Sequence, residues 1–183
     1  MIITVAGDVG SGKSTVVKLL AGELPKFETL DVGHVRREVA KDKDLTIESF
    51  NDWSIKHPDE GDKLIDDKMV ALVQKMRHGI VSSRLGPLLY PHSLKIYLSV
   101  DPLVAAMRIF EEKKNLNDRN EDVVKTVQEQ QDKNEARMRN DDLRYKKLYN
   151  FSAYDKSQYD LVIDTTDMSP ENVVAKILHH VKK

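Results

Sequence analysis

Gly7-Asp8-Val9-Gly10-Ser11-Gly12-Lys13-Ser14 fits the pattern G-x-x-x-x-G-K-[ST], and its surroundings give that pattern physical meaning. Ahead of it, Ile2-Ile3-Thr4-Val5-Ala6 is a short β-branched apolar run suited to a buried strand. Behind it, Val16, Val17, Leu19, Leu20 and Leu24 carry the apolar spacing of a helix. Between strand and helix, glycines let backbone N–H groups close around di- or triphosphate oxygens. Lys13 adds a mobile positive charge, and Ser14 offers a hydroxyl to Mg²⁺. The segment from Gly7 to Thr15 is therefore the expected phosphate cradle of a nucleotide-binding protein, with Ser14 as its metal ligand.

Composition limits what can surround this cradle. At 183 residues, 40% hydrophobic and 32% charged, the chain reads as one domain large enough for a covered sheet. Its formal net charge of -1 offers no electrostatic footprint for a nucleic-acid polymer. The six tyrosines, four phenylalanines and one tryptophan are too scattered to form a base-stacking platform. With no cysteine there is neither a disulfide framework nor a thiolate metal site, and the histidines form no spaced ligand set. The first strand begins at Ile2 and no apolar run approaches the ~20 residues of a membrane span. The expectation is a soluble, cytoplasmic monomer with a small nucleotide ligand and no membrane partner.

Strand-like and helix-like segments alternate along the chain, the signature of a parallel α/β sheet. After the first strand, others are predicted at Phe27 to Leu30, Ile80-Val81, Leu94 to Val100 and Tyr159 to Asp164. A polar, helix-rich stretch fills Val35 to Arg77, and a charged helix is predicted from Glu121 to about Leu148. Asp101-Pro102 reads as an N-cap followed by proline at the first helical position, and Phe50 with Trp53 as the packing face of a helix. The five strands predict a doubly wound sheet whose ligand-binding groups gather at the strands' carboxyl ends. Those ends deliver Gly7 to Ser14, Asp31 to His34, Ser82 to Arg84, and Asp101 to one crevice.

Within the nucleotide-binding classes, the chain lacks an Asn-Lys-x-Asp guanine-reading motif and a four-residue apolar run ending in Asp-Glu, while several arginines lie beyond the cradle. Arginine clusters suit phosphoryl transfer between two anionic substrates, because charge spread over equatorial oxygens must be neutralised in a water-poor cleft.

In the order and spacing of these motifs, from the cradle to Tyr159-Asp160-Leu161-Val162-Ile163-Asp164-Thr165, the chain resembles the cytidylate kinases, in particular the compact archaeal-type branch of the nucleoside monophosphate kinases. The resemblance implies a P-loop NTPase fold in one domain, residues 1–183: a five-stranded parallel sheet flanked by helices, with a monophosphate-binding insertion over about 33–77 and a lid over about 113–137. It implies transfer of the ATP γ-phosphoryl group to CMP or dCMP, with Mg²⁺. By position, Arg37 and Arg84 match arginines that hold the acceptor phosphate, Arg137 and Arg144 match the paired lid-side arginines with Asp141 between them, and Arg108 matches the arginine on the helix entering the lid. Lys13, Arg84, Arg137 and Arg144 are thus the expected catalytic residues, and Arg37, Asp66, Arg84 and Asp141 the expected acceptor contacts.

The chain also departs from that pattern. Val32 and His34 flank Gly33 where relatives have Ser or Thr before the glycine and often Asp after it. Ser82 ends the third strand where relatives carry Asp or Glu, and Lys68-Met69 replaces an Arg-Gln pair. These changes leave open a kinase for another small acceptor, such as UMP or AMP. They also leave open a catalytically weak ATP-binding regulatory protein, favoured by the loss of the acid at Ser82.

Overall fold

The computed structural model describes residues 1–116 and 124–181. Five parallel strands, β1 (Ile2–Gly7), β2 (Glu28–Asp31), β3 (Gly79–Ser82), β4 (Leu94–Ser99) and β5 (Leu161–Asp164), pair in the order β2-β3-β1-β4-β5. The phosphate-binding strand is therefore central, and the order reverses beside it: β3 lies on one side and β4 on the other. That is where a doubly wound sheet opens a crevice at its carboxyl edge. This is the P-loop kinase fold that the sequence predicts, with each strand within a residue or two of its expected place.

Alternation along the strands splits the core into two layers. Ile80 packs with Ile3, Val5, Val16, Leu20 and Ile177, under α1 (Lys13–Glu23) and α8 (Pro170–Val181). Its neighbour Val81 packs on the opposite face with Val32, Phe50, Ile65 and Met69. Those residues come from α2 (Val32–Asp42), α3 (Ile47–Lys56) and α4 (Asp62–Val73), which resolve the polar 33–77 stretch into three helices. Phe50 is fully buried and stacks on Trp53, as a packing face should.

A short α5 (Gly86–Leu89) follows β3, and α6 (Pro102–Leu116) follows β4. Asp101 caps α6, accepting from the N–H groups of Leu103 at 2.9 Å and Val104 at 3.1 Å. The long α7 (Val127–Tyr149) begins later than predicted because Thr126 caps it, accepting from Glu129 N at 3.1 Å. Of the expected lid, residues 117–123 lie outside the described residues. Among the described residues, no helix is long and apolar enough to cross a membrane.

Candidate active site

The cradle is built by backbone geometry. Asp8 N donates to Leu98 O at 2.9 Å, tying the loop to β4, and Ser11 N donates to Asp8 O at 3.2 Å. Gly10 and Gly12 adopt φ of 82° and 79°, a left-handed conformation that side chains resist. A Cβ on Gly10 would in addition lie 2.8 Å from the Ala105 carbonyl oxygen. The Asp8 carboxylate is turned away from the phosphate position, accepting from the Tyr97 hydroxyl and, at 3.1 Å, from Val100 N. Burial, reinforced by that bond to Asp8, raises the Tyr97 phenol well above its ordinary pKa, so it remains a donor. Asp8 therefore shapes the loop with its side chain and offers the ligand only its backbone.

On one side of the cradle lies a cavity of about 270 Å³ bordered by Gly10, Gly12, Thr15, Arg108, Thr165 and Met168. The Arg108 guanidinium is fixed there by the carbonyls of Thr165 at 2.8 Å and Thr166 at 3.0 Å. Arg108 thus borders a space next to the loop that could take a base or ribose.

On the other side, Lys13, Gly33, Arg36, Asp66, Ser82, Ser83 and Arg84 line a narrower pocket. Lys13 Nζ donates to Ser82 Oγ at 2.6 Å. Burial pushes the Lys13 ammonium down to about 8, with Arg84 adding to the effect and Asp31 opposing it; the charges of Arg37 and Arg137 also bear on it. Arg84, Arg37 and Arg137, which follow β3 or lie on α2 and α7, are thus all within electrostatic reach of the cradle lysine.

Behind this pocket runs a buried chain of alternating charge. Arg84 pairs with Asp141 at 3.2 Å, Asp141 with Arg144 at 3.0 Å, and Arg144 with Asp62 at 3.5 Å. Asp62 pairs in turn with Arg36, which also donates to Asn51 at 2.7 Å. Three guanidiniums against two carboxylates leave one positive charge in excess, in a setting where removing Asp141 takes the carboxylate from Arg84 and removing Asp62 takes it from Arg36. At the inner end, Tyr149 donates to Asp66 at 2.6 Å. Burial nevertheless holds the Asp66 carboxyl up at about 6, with Asp62 adding to the rise while Tyr149, Arg36 and Arg144 oppose it.

Arg37, Arg137 and Arg144 do not line this pocket. Arg37 is half exposed at the mouth of the site, 3.8 Å from Asp31, while Arg36 occupies the pocket wall. The reason is helical period: Val32, Arg36 and Ala40 form the buried face of α2, and Arg37 falls off it. Arg144 is 3% exposed, between two carboxylates, and does not border the pocket; its neighbour Tyr145 does. Arg137 is exposed on α7. Asp62, Tyr97, Tyr145 and Tyr149 were not singled out by sequence. The i, i+4 pairs Asp62 with Asp66 and Tyr145 with Tyr149 are the signal that could have found three of them.

Ser14, Asp31 and Ser82 line a third cavity of about 270 Å³ against α1. Among the described residues, no three His, Cys, Asp or Glu side chains gather as a metal cage. One hydroxyl and one carboxylate beside a phosphate cradle fit Mg²⁺, which keeps several waters and takes its remaining oxygens from substrate phosphates.

Comparisons with known proteins bear on the family and the fold. Residues 3–137 match the family model described as AAA domain. The chain is 31% identical over its full length to the cytidylate kinase of Archaeoglobus fulgidus, covering 95% of that protein. It is also 31% identical to the cytidylate kinase of Thermoplasma acidophilum, over 99% of the chain and 92% of that protein. The chain belongs to the cytidylate kinase family. Its backbone is similar to shikimate kinase from Acinetobacter baumannii, with a TM-score of 0.59 at 18% identity, covering 98% of this chain and 92% of that one, a likeness of fold. Membership of that family makes the chain a P-loop phosphotransferase, and one pocket lies on each side of its cradle.

Proposed function

We propose that this chain is a nucleoside monophosphate kinase that transfers the ATP γ-phosphoryl group to CMP or dCMP. The observation that carries the reading is the second pocket, which places Lys13, Arg36, Arg84 and Ser83 directly beside the phosphate cradle. A protein that only binds a nucleotide has no use for a second anion site there.

In this reading the backbone amides of Asp8 to Ser14 hold the ATP phosphates, Lys13 follows charge toward the γ-group, and Arg108 flanks the base or ribose. Mg²⁺, held by Ser14 beside Asp31, would neutralise the phosphate oxygens when bound. Arg84 orients the acceptor phosphate, with Arg37 at the mouth and Arg36 behind. Arg137 comes in from α7 to neutralise developing charge, and Arg144 acts through Asp141 to hold Arg84 in place. No general base is required, since a nucleotide phosphate is already a nucleophile at neutral pH. We read residues 33–77 as the acceptor-side insertion and 113–137 as the lid region that excludes water.

Asp66 favours cytosine over uracil. At neutral pH its carboxylate, at the inner end of the pocket, can accept from an exocyclic amino group, which cytosine carries and uracil lacks. The test is ADP formation with ATP, Mg²⁺ and a panel of monophosphates. CMP and dCMP are expected to turn over fastest. A preference for UMP or AMP would overturn the base assignment, and tight ATP binding without acceptor-stimulated turnover would overturn the kinase reading.

A further inference from the structure

β3 ends in Ser82, which has no charge to offer the water shell of a metal ion, so a carboxylate for that purpose has to come from another strand. Asp31 stands beside it. β2 and β3 are parallel neighbours, and Asp31 and Ser82 are Cα partners in their register. Both line the cavity that also contains Ser14. Ser82 is engaged differently: its hydroxyl receives the Lys13 ammonium at 2.6 Å.

The other acids at the strand ends are committed. Asp8 is bonded by Tyr97 and Val100 N, and Asp101 caps α6 on the far side of β1 from β3. Asp164 Oδ1 is taken by the Thr166 N–H at 2.9 Å and the Thr166 hydroxyl at 2.6 Å. In Asp31, Oδ1 accepts from Gly33 N at 2.9 Å, while among the described residues Oδ2 pairs with the Arg37 guanidinium at 3.8 Å, beyond hydrogen-bond distance. One carboxylate oxygen thus stays available toward the cavity it shares with Ser14.

We propose that Asp31 and Ser82 divide a metal-and-lysine function between adjacent strand ends, with Asp31 supplying the carboxylate that faces magnesium-bound water and Ser82 positioning Lys13. The proposal rests on the reading that ATP binds as its magnesium complex. It assigns Asp31 a role beyond that of capping α2.

Calorimetric titration of ATP into the protein, with Mg²⁺ and with EDTA, tests it without acceptor or turnover. Wild type is expected to bind ATP more tightly when Mg²⁺ is present. Asp31→Asn keeps an oxygen for the Gly33 N–H, so the helix cap survives. It should lose about tenfold or more of the magnesium-dependent gain, as outer-shell partners of metals typically do, the gain being taken against the variant's own metal-free affinity. Asp31→Glu should keep part of the gain, and Ser82→Ala should keep all of it. The exchange variant Asp31→Ser/Ser82→Asp should recover most of what Asp31→Asn loses, since the acid then stands one strand over. Full magnesium dependence in Asp31→Asn, or its abolition in Ser82→Ala, would overturn the proposal. A wild-type protein whose ATP affinity ignores Mg²⁺ would instead overturn the magnesium–ATP reading, and this proposal with it.

Discussion

The two sides of the site are made by different means. The nucleotide side is a backbone structure: eight consecutive residues, two left-handed glycines and the start of one helix fix where the N–H groups point. The acceptor side is a side-chain structure, assembled from α2, α4, the end of β3 and α7 and held by buried ion pairs. A backbone cradle is stable whether or not its charged residue is present. An ion-pair lattice keeps its shape only while every charge has its partner.

That contrast can be broken first at Asp62, which is fully buried and joins Arg36 to Arg144. Asp62→Ala leaves the buried Arg36 guanidinium without its carboxylate and Arg144 with Asp141 alone, and should cost about 3–5 kcal/mol of stability, read as a large fall in the urea midpoint. A midpoint near wild type would mean that the lattice does not hold the acceptor side together. Lys13→Ala makes the opposite case. It should lower turnover by about 10²–10³-fold, the effect of losing a preorganised electrostatic contact, while thermal melting barely moves. Near-normal turnover in the folded variant would sink the cradle assignment.

Asp66 sharpens the comparison through pH. Its carboxyl titrates at about 6 in the folded chain against an ordinary value of 3.8, so the folded state holds the proton to higher pH than the unfolded state does. Its contribution to stability is intact below the lower value and is lost as pH rises through about 6, a decline of roughly 2–3 kcal/mol. Urea denaturation across that window should show the decline in wild type and a flatter profile in Asp66→Asn; equal profiles would remove Asp66 as its source. The smallest expected effects separate two arginines. Arg84→Ala should mainly raise KM for the monophosphate and Arg137→Ala mainly lower kcat, and steady-state kinetics with matched small effects on both would contradict the roles given to them.

Sequence reading reached the backbone side almost completely, because a phosphate cradle is local: the residues that make it are adjacent in the chain and their glycines are visible. The strands and their order of use followed from β-branched runs and the crossover rule. The acceptor side was legible only in part. Arg84 and Asp141 were both singled out, and they meet in the structure, with Asp141 buried behind the pocket that Arg84 lines. Choosing between Arg36 and Arg37, however, required knowing which face of α2 is buried, and tertiary packing decides that. Arg144 was assigned to the reacting phosphates, whereas the fold places it between Asp62 and Asp141, a partnership spanning 82 positions that no local spacing announces. Tyr97 and Tyr149 escaped notice because a buried tyrosine is marked out by the carboxylate it meets, and both of those carboxylates lie far away in sequence.

One uninterrupted helix, α7, carries Arg137 within electrostatic reach of Lys13 and, farther along, Asp141, Tyr145 and Tyr149 against the acceptor pocket. At about 1.5 Å per residue, such a helix is a rigid strut between two ligands. Any tilt that one substrate favours is therefore presented to the other, and reciprocity requires that whatever factor ATP applies to acceptor affinity, the acceptor applies equally to ATP. On the proposed reading, the stiffness of a single helix would let the molecule register whether both substrates are aboard.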